Sequence, residues 1–397
     1  MNAGVGARNA RQRRGGDVRD TIREFAEQHR STSIIVAMAV IAAVLPVLAA
    51  VPPFSLFQPH NAWVDGFANA GTYVLLAVGL NIVVGLAGLL DLGYAAFFAF
   101  GAYAYAYGAS PFSHNDLPFL PLLLVGAAVA ATFGVILGAP TLRLRGDYLA
   151  IVTFGFGEIV PIVFLNAEQY TNGTNGIGGV YQPTIPLLDR LPDSFQFSFT
   201  NPWPFYVLMI FILTIVMIFA YRLQDSRLGR AWMAIREDEL AAASSGVNTV
   251  TTKLLAFALG ASTAGLAGVF NAAKLTVVSP DQFLFAVSFT VLAMIVLGGM
   301  GNIWGVAVGA FVISTIQQTL LKQLDIVFHQ LGIPILKDVN FLSYQFLLYG
   351  VALVLMMLLR PEGLFPSGRR RRELHSAEDS AGEALVVDPA APTGGLV

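Results

Sequence analysis

The chain has no cysteine among its 397 residues, which excludes disulfides, thiolate metal sites and a cysteine nucleophile. It is also poor in charge. Asp, Glu, Lys and Arg make up 12% of it against 55% hydrophobic residues, and the mean hydropathy is +0.66. An ordinary water-soluble domain of this length does not show that balance, so the composition describes a polytopic membrane protein. No GxxxxGK[ST] phosphate loop occurs, so the chain does not use ATP by that route, and any energy it needs must come from a partner or an ion gradient. There is no GxSxG elbow and no HExxH pair. His29, His60, His114, His329 and His375 are scattered outside the apolar runs, so neither a metal site nor a cofactor is expected.

What is present is a series of apolar runs separated by polar turns. Residues 1–32 form a basic arm with seven arginines. Val18, Ile22 and Phe25 within it share one face of a short helix suited to a membrane surface, with a disordered arm as the rival reading. Residues 33–365 read as one all-α membrane domain of about ten transmembrane helices. The first run, Ser33–Val51, ends at Pro52 and Pro53, and its length after a thirty-residue leader fits an anchor better than a cleaved signal. The others are expected near 67–90, 94–108, 119–142, 148–165, 205–221, 253–273, 285–297, 306–320 and 341–359. Residues 166–204, rich in Gly, Asn and Pro, form an outer loop, and residues 366–397 form a tail whose composition predicts disorder.

Charge sets the orientation. With the N-terminus inside, 19 of the 23 Lys and Arg residues fall in cytoplasmic segments, leaving Arg190, Lys274, Lys322 and Lys337 outside. Both termini are then cytoplasmic. Five spans on either side of the outer loop give two halves of opposite orientation, the layout of an inverted repeat.

One charged stretch lies between apolar runs, at residues 222–252, and the same count places it in the cytoplasm. Its residues favour a helix over Ala231–Ser245, with Gly246 and Asn248 as the stop. A helix hung between two spans suits a permease that receives force from a soluble motor; an ordinary solvated loop is the competing reading. Immediately after it, Ala256, Gly260, Ala264 and Gly268 recur at four-residue spacing and predict a close packing face.

The polar groups at membrane depth include Asn81, Asp91, Thr153, Glu158, Asn271, Gln317 and Gln318. Asn81, Thr153 and Glu158 are the candidates for a translocation path. Glu158 stands out because it follows Gly155 and Gly157 and precedes Pro161, where a helix breaks easily, and because burying a charge there costs about 2.5–3.5 kcal/mol. A structural hydrogen bond, or a position nearer the cytoplasmic edge, is the alternative for Glu158, and a helix-to-helix hydrogen bond the alternative for Asn81; Asp91 reads as a cap or turn residue.

The segment RLGRAWMAIREDELAAASSGVN resembles the cytoplasmic coupling loop of branched-chain amino acid ABC importer permeases, the LivM/LivH family. GLNIVVGLAGLLDLGYAAFFAFGAY, LRLRGDYLAIVTFGFGEIV, TNGTNGIGG, SPDQFLF, VLGGMGNIWGVAVGA and RPEGLF resemble further segments of that family in the same order. The resemblance covers roughly residues 73–365. It implies an inner-membrane permease that is not itself an enzyme. It also implies a paralogous second permease, two cytoplasmic ATPases that bind the ATP, and an extracytoplasmic binding protein. Leucine, isoleucine and valine are the implied substrates. Urea or short amides remain alternatives, and from the residues alone a secondary transporter, a channel or a membrane enzyme stays open. The coupling residues carried over are Arg230, Arg236, Glu237, Asp238, Glu239, Ala241, Ala242 and Gly246. Leu240 stands where the wider EAAxxxG loop motif has its acid, with Glu239 one place earlier.

Overall fold

The computed structural model describes residues 60–141, 147–184, 196–198, 201–321 and 344–359, together with residues 42, 44–46 and 48. The basic arm, nearly all of the first expected span and the C-terminal tail lie outside them. Helix α1, His60–Leu80, continues as a π-helix over Asn81–Leu86. Helix α2, Tyr94–Gly108, leads through the two short strands β1 (Ala109–Ser110) and β2 (Asn115–Asp116) to α3, Phe119–Thr141. Helix α4 spans Asp147–Asn166, and α5 spans Trp203–Gln224. Two shorter helices, α6 (Arg227–Glu237) and α7 (Glu239–Ser244), precede α8, Thr249–Leu275. Helices α9 (Phe285–Gly298), α10 (Ile303–Thr315) and α11 (Gln345–Leu359) complete the bundle.

Among the described residues, six helical segments are long and apolar enough to cross a membrane: His60–Leu86, Phe119–Thr141, Tyr148–Asn166, Trp203–Gln224, Thr249–Leu275 and Pro280–Gly298. Helices α2, α10 and α11 coincide with expected spans but have only 15, 13 and 15 residues. The expected boundaries hold to within a few residues for most elements because lipid-facing runs are uniformly apolar and their ends are marked by charge. The start of α1 is the exception: it begins at His60 rather than near residue 67. It carries Asp65 inside the helix, where an ion pair with Lys274 accommodates the acid.

Helix α8 is the centre. In lipid, helices gain little by burying apolar surface and associate through close backbone approach, which small residues permit. Ala256 and Ala264 are fully buried, and Gly260 and Gly268 lie on the same buried face, as their spacing predicts. A Cβ on Gly101 of α2 would sit 2.2 Å from the Gly265 carbonyl oxygen, one on Gly265 would sit 2.5 Å from the Gly126 carbonyl of α3, and one on Gly268 would sit 2.2 Å from the Phe98 carbonyl. Helices α2, α3 and α8 therefore meet backbone to backbone. The Tyr94 hydroxyl donates to the Gly260 carbonyl at 2.8 Å and fixes the first turn of α2 to α8.

The two ends of α8 define the two faces of the bundle. At a rise of 1.5 Å per residue its 27 residues span about 40 Å, close to a bilayer with its headgroups. At the C-terminal end β4, Val277–Val278, pairs antiparallel with β3, Ile177–Gly178, and so clips the segment that follows α4 to the bundle. At the N-terminal end lie α6 and α7.

Candidate functional site

The charged stretch folds into two helices rather than one. Ser226 caps α6 by accepting a hydrogen bond from the Gly229 amide. Asp238 then adopts an extended conformation and its carboxylate accepts from the amides of Leu240 (2.8 Å) and Ala241 (3.0 Å), capping α7. The uninterrupted helix expected over Ala231–Ser245 is thus divided at Asp238, because a carboxylate satisfies orphan amides at a helix start better than it serves a helix interior. Gly246, at φ +86°, ends α7 as expected.

This pair of helices is bolted to the bundle. Trp232 is fully buried and its indole nitrogen donates to the Thr252 carbonyl at 2.6 Å; Ile235 is buried beside it. Arg236 extends its aliphatic stem over Gly88, where a Cβ would lie 2.7 Å from the Arg236 Cγ, and donates to the Gly85 carbonyl. Glu239 pairs with Lys253 at 2.6 Å. Ala242 is only 4% exposed. The carried-over coupling residues therefore divide. The Arg236 guanidinium, Glu239 and Ala242 engage the chain's own bundle and do not form a free rim, whereas Arg230, Glu237, Asp238, Ala241 and Gly246 face outward. With them stands Leu240, 68% exposed, at the position where the wider loop motif has its acid.

The three path candidates are not brought into one cavity. Asn81 opens the π-helix and is fully buried, and its Oδ1 accepts from the Gly301 amide at 2.9 Å, which ties α1 to the turn between α9 and α10. Its Nδ2 has no partner among the described residues. The π-helix shifts the local hydrogen-bond register, and the Gly85 carbonyl within it is the one that Arg236 reaches. Thr153 on α4 accepts from the Leu92 amide at 3.0 Å and donates to the Ala150 carbonyl. Asp91 behaves as a turn residue, its Oδ1 accepting from the Gly93 amide at 2.9 Å. Glu158 is half-buried on α4, a helix whose Ile151, Ile159 and Ile162 are more than half exposed. The break expected at Pro161 does not occur: α4 continues through it to Asn166.

A polar cavity of about 300 Å³ lies instead between α1, α2, α8 and α9, lined by Asn69, Thr72, Tyr73, Asn271 and Gln282 together with Leu76, Phe98, Leu275 and Val287. Of its polar residues only Asn271 stands out in the sequence. The others are ordinary in composition, and only the fold brings them together. Beside it the Lys274 ammonium contacts Asp65 Oδ1 at 2.7 Å and Asn69 Oδ1 at 2.6 Å. A second cavity, of about 360 Å³, is apolar and is bounded by Phe67, Tyr206, Met209, Trp304 and Phe311. Among the described residues no cluster of His, Asp and Glu is placed to hold a metal ion.

A family model described as "Branched-chain amino acid transport system / permease component" matches residues 63–358. The chain is 39% identical to the high-affinity branched-chain amino acid transport system permease protein LivM of Salmonella typhimurium, over 83% of this chain and 76% of the relative. It is 26% identical to the probable LivM of Methanocaldococcus jannaschii, over 75% and 91% of the two chains. Identity to the LivH permease of Escherichia coli is 25% over 63% of this chain and 82% of that one. No solved structure matches.

Proposed function

Because the chain belongs to the branched-chain amino acid transport permease family, we propose that it forms the translocation path for leucine, isoleucine and valine in an ATP-driven ABC importer. Its partners in this reading are a paralogous permease, two cytoplasmic ATPases and an extracytoplasmic binding protein. It sits in the inner membrane with both termini in the cytoplasm, its spans arranged as two inverted sets of five.

The observation that carries the reading is the anchoring of α6 and α7. A coupling element must be rigid enough to pass on force and must still offer a surface to its motor. Trp232, Arg236 and the Glu239–Lys253 pair supply the first property, locking the element to the π-helix and to the start of α8. Leu240, Ala241, Glu237 and Asp238 supply the second. Arg236 also joins the coupling element to the segments around Gly85 and Gly301, so a displacement of α6 pulls directly on α1 and on the turn between α9 and α10. Asn81 and Thr153 then hold the turns that line the inner half of the path, and Glu158 borders the path from α4.

The test is reconstitution of the chain with its paralogous permease, both ATPases and the binding protein in proteoliposomes, followed by uptake of labelled leucine and urea. ATP-dependent leucine uptake that needs all components supports the assignment. Urea uptake without leucine uptake assigns the permease to the other substrate class, and ATP-independent uptake by the chain alone overturns it.

A further inference from the structure

We propose that the polar cavity between α1, α2, α8 and α9 receives the α-ammonium and α-carboxylate groups of the transported amino acid, and that the Asp65–Lys274 pair at its rim is the contact those two charges exchange with. This rests on the importer reading above and adds a place and a chemistry for substrate recognition within the permease.

One buried polar oxygen beside the cavity lacks a partner among the described residues. Gln282 Oε1 is buried and accepts no hydrogen bond from a described residue, while its Nε2 donates to the Val277 carbonyl at 3.2 Å. Tyr73 on α1 and Asn271 on α8 line the same cavity. A buried polar atom without a partner is costly, and one beside a cavity marks a place where a polar ligand supplies the missing bond.

The rim carries both signs of charge. Lys274 reaches Asp65 Oδ1 at 2.7 Å and Asn69 Oδ1 at 2.6 Å, while Asn69 Nδ2 donates to the second Asp65 oxygen at 3.2 Å. The lysine side chain is 7% exposed and the aspartate 50%, so the pair lies at the boundary between the cavity and the outer face. Asn69 belongs both to this network and to the cavity wall. A zwitterion leaves water at low cost only where each of its charges meets an opposite one. Asp65 and Lys274 provide that match, and they neutralise each other when no substrate is present. The apolar lining of Leu76, Phe98 and Val287 accommodates an aliphatic side chain. A volume of about 300 Å³ lies at the small end of ligand pockets and suits a single amino acid.

The alternative is that the ion pair only ties the end of α8 to α1. Three measurements on the complete reconstituted importer separate the two. First, Leu275→Cys places the only cysteine of this subunit at the cavity mouth, where Leu275 is 42% exposed. During ATP turnover, its modification by a small cationic thiosulfonate should slow several-fold with leucine-loaded binding protein relative to leucine-free binding protein. Second, Tyr73→Phe removes a hydroxyl that bonds no described residue, so the permease should assemble normally while leucine uptake falls about three- to ten-fold. Third, the double variant Asp65→Asn with Lys274→Gln keeps neutral hydrogen bonding across the rim. A structural tie predicts recovery of uptake relative to the single variants, and the zwitterion contact predicts none at normal abundance.

Active leucine uptake with an unprotected Cys at 275 and a fully active Tyr73→Phe overturns the cavity proposal and leaves the importer assignment standing. A complex that imports urea but not leucine overturns both.

Discussion

Leu240 gives the sharpest test of the coupling surface. It is 68% exposed on α7, flanked by Glu237, Asp238 and Ala241, which also face outward. Full burial of a leucine side chain stabilises by about 1.5–3 kcal/mol, so covering the exposed two-thirds contributes about 1–2 kcal/mol to a docked ATPase. Leu240→Ala should therefore weaken ATPase binding about five- to thirty-fold. The permease itself should lose less than about 0.5 kcal/mol, as for other exposed substitutions away from special features. The assay is co-purification of the ATPases with the variant at graded concentrations, alongside permease abundance and leucine-stimulated ATP hydrolysis. Ala242→Glu is the necessary contrast. Ala242 is 4% exposed and faces the chain's own bundle, so an added carboxylate there is buried without a partner and should lower permease abundance as well as binding. Undiminished ATPase binding and hydrolysis in Leu240→Ala would refute the docking surface. Equal losses of abundance in both variants would show that α7 is part of the core rather than a contact.

Three further outcomes are expected. A single cysteine at Ala243 should be shielded from an impermeant reagent added to intact cells and one at Thr174 labelled; the reverse pattern refutes the orientation. Glu158→Gln should leave abundance unchanged and reduce leucine uptake, since the side chain forms no hydrogen bond with a described residue; normal uptake removes Glu158 from the path. Gly101→Ala should strongly lower the amount of folded permease, because its methyl would lie 2.2 Å from the Gly265 carbonyl oxygen and backbone atoms cannot yield as a side chain can; wild-type thermal stability in detergent would contradict the packing described.

Much of the architecture is legible in the sequence because lipid imposes one rule on every span. The expected run at 94–108 and α2 agree in both limits, and the small-residue tape of α8 is buried as its spacing requires. The charged stretch shows a different limit. Its helical content follows from propensity, but the division at Asp238 depends on a capping hydrogen bond that competes with helix continuation, and residue preferences alone rank those two close together. The same holds for direction. Arg236 and Glu239 look like rim charges in a linear reading, and only the nearness of Gly85 and Lys253 turns them inward. The cavity is the least legible part. Asn69 and Asn271 lie far apart in the chain, and Tyr73 and Gln282 are unremarkable until α1, α8 and α9 surround the same space.

The glycine contacts between α2, α3 and α8 also limit how the molecule can deform. Where two backbones touch with no side chains between them, a screw motion of α2 by one residue, about 1.5 Å along its axis with about 100° of rotation, puts Ala102 where Gly101 was and drives its methyl group into the Gly265 carbonyl. Interlocked helices of this kind resist shear and turn together as one stiff beam. The seam at Gly301 is close as well, with a Cβ on Gly85 2.8 Å from the Gly301 amide nitrogen beside the Asn81 contact, and in the proposed importer a stroke delivered through Arg236 would arrive there.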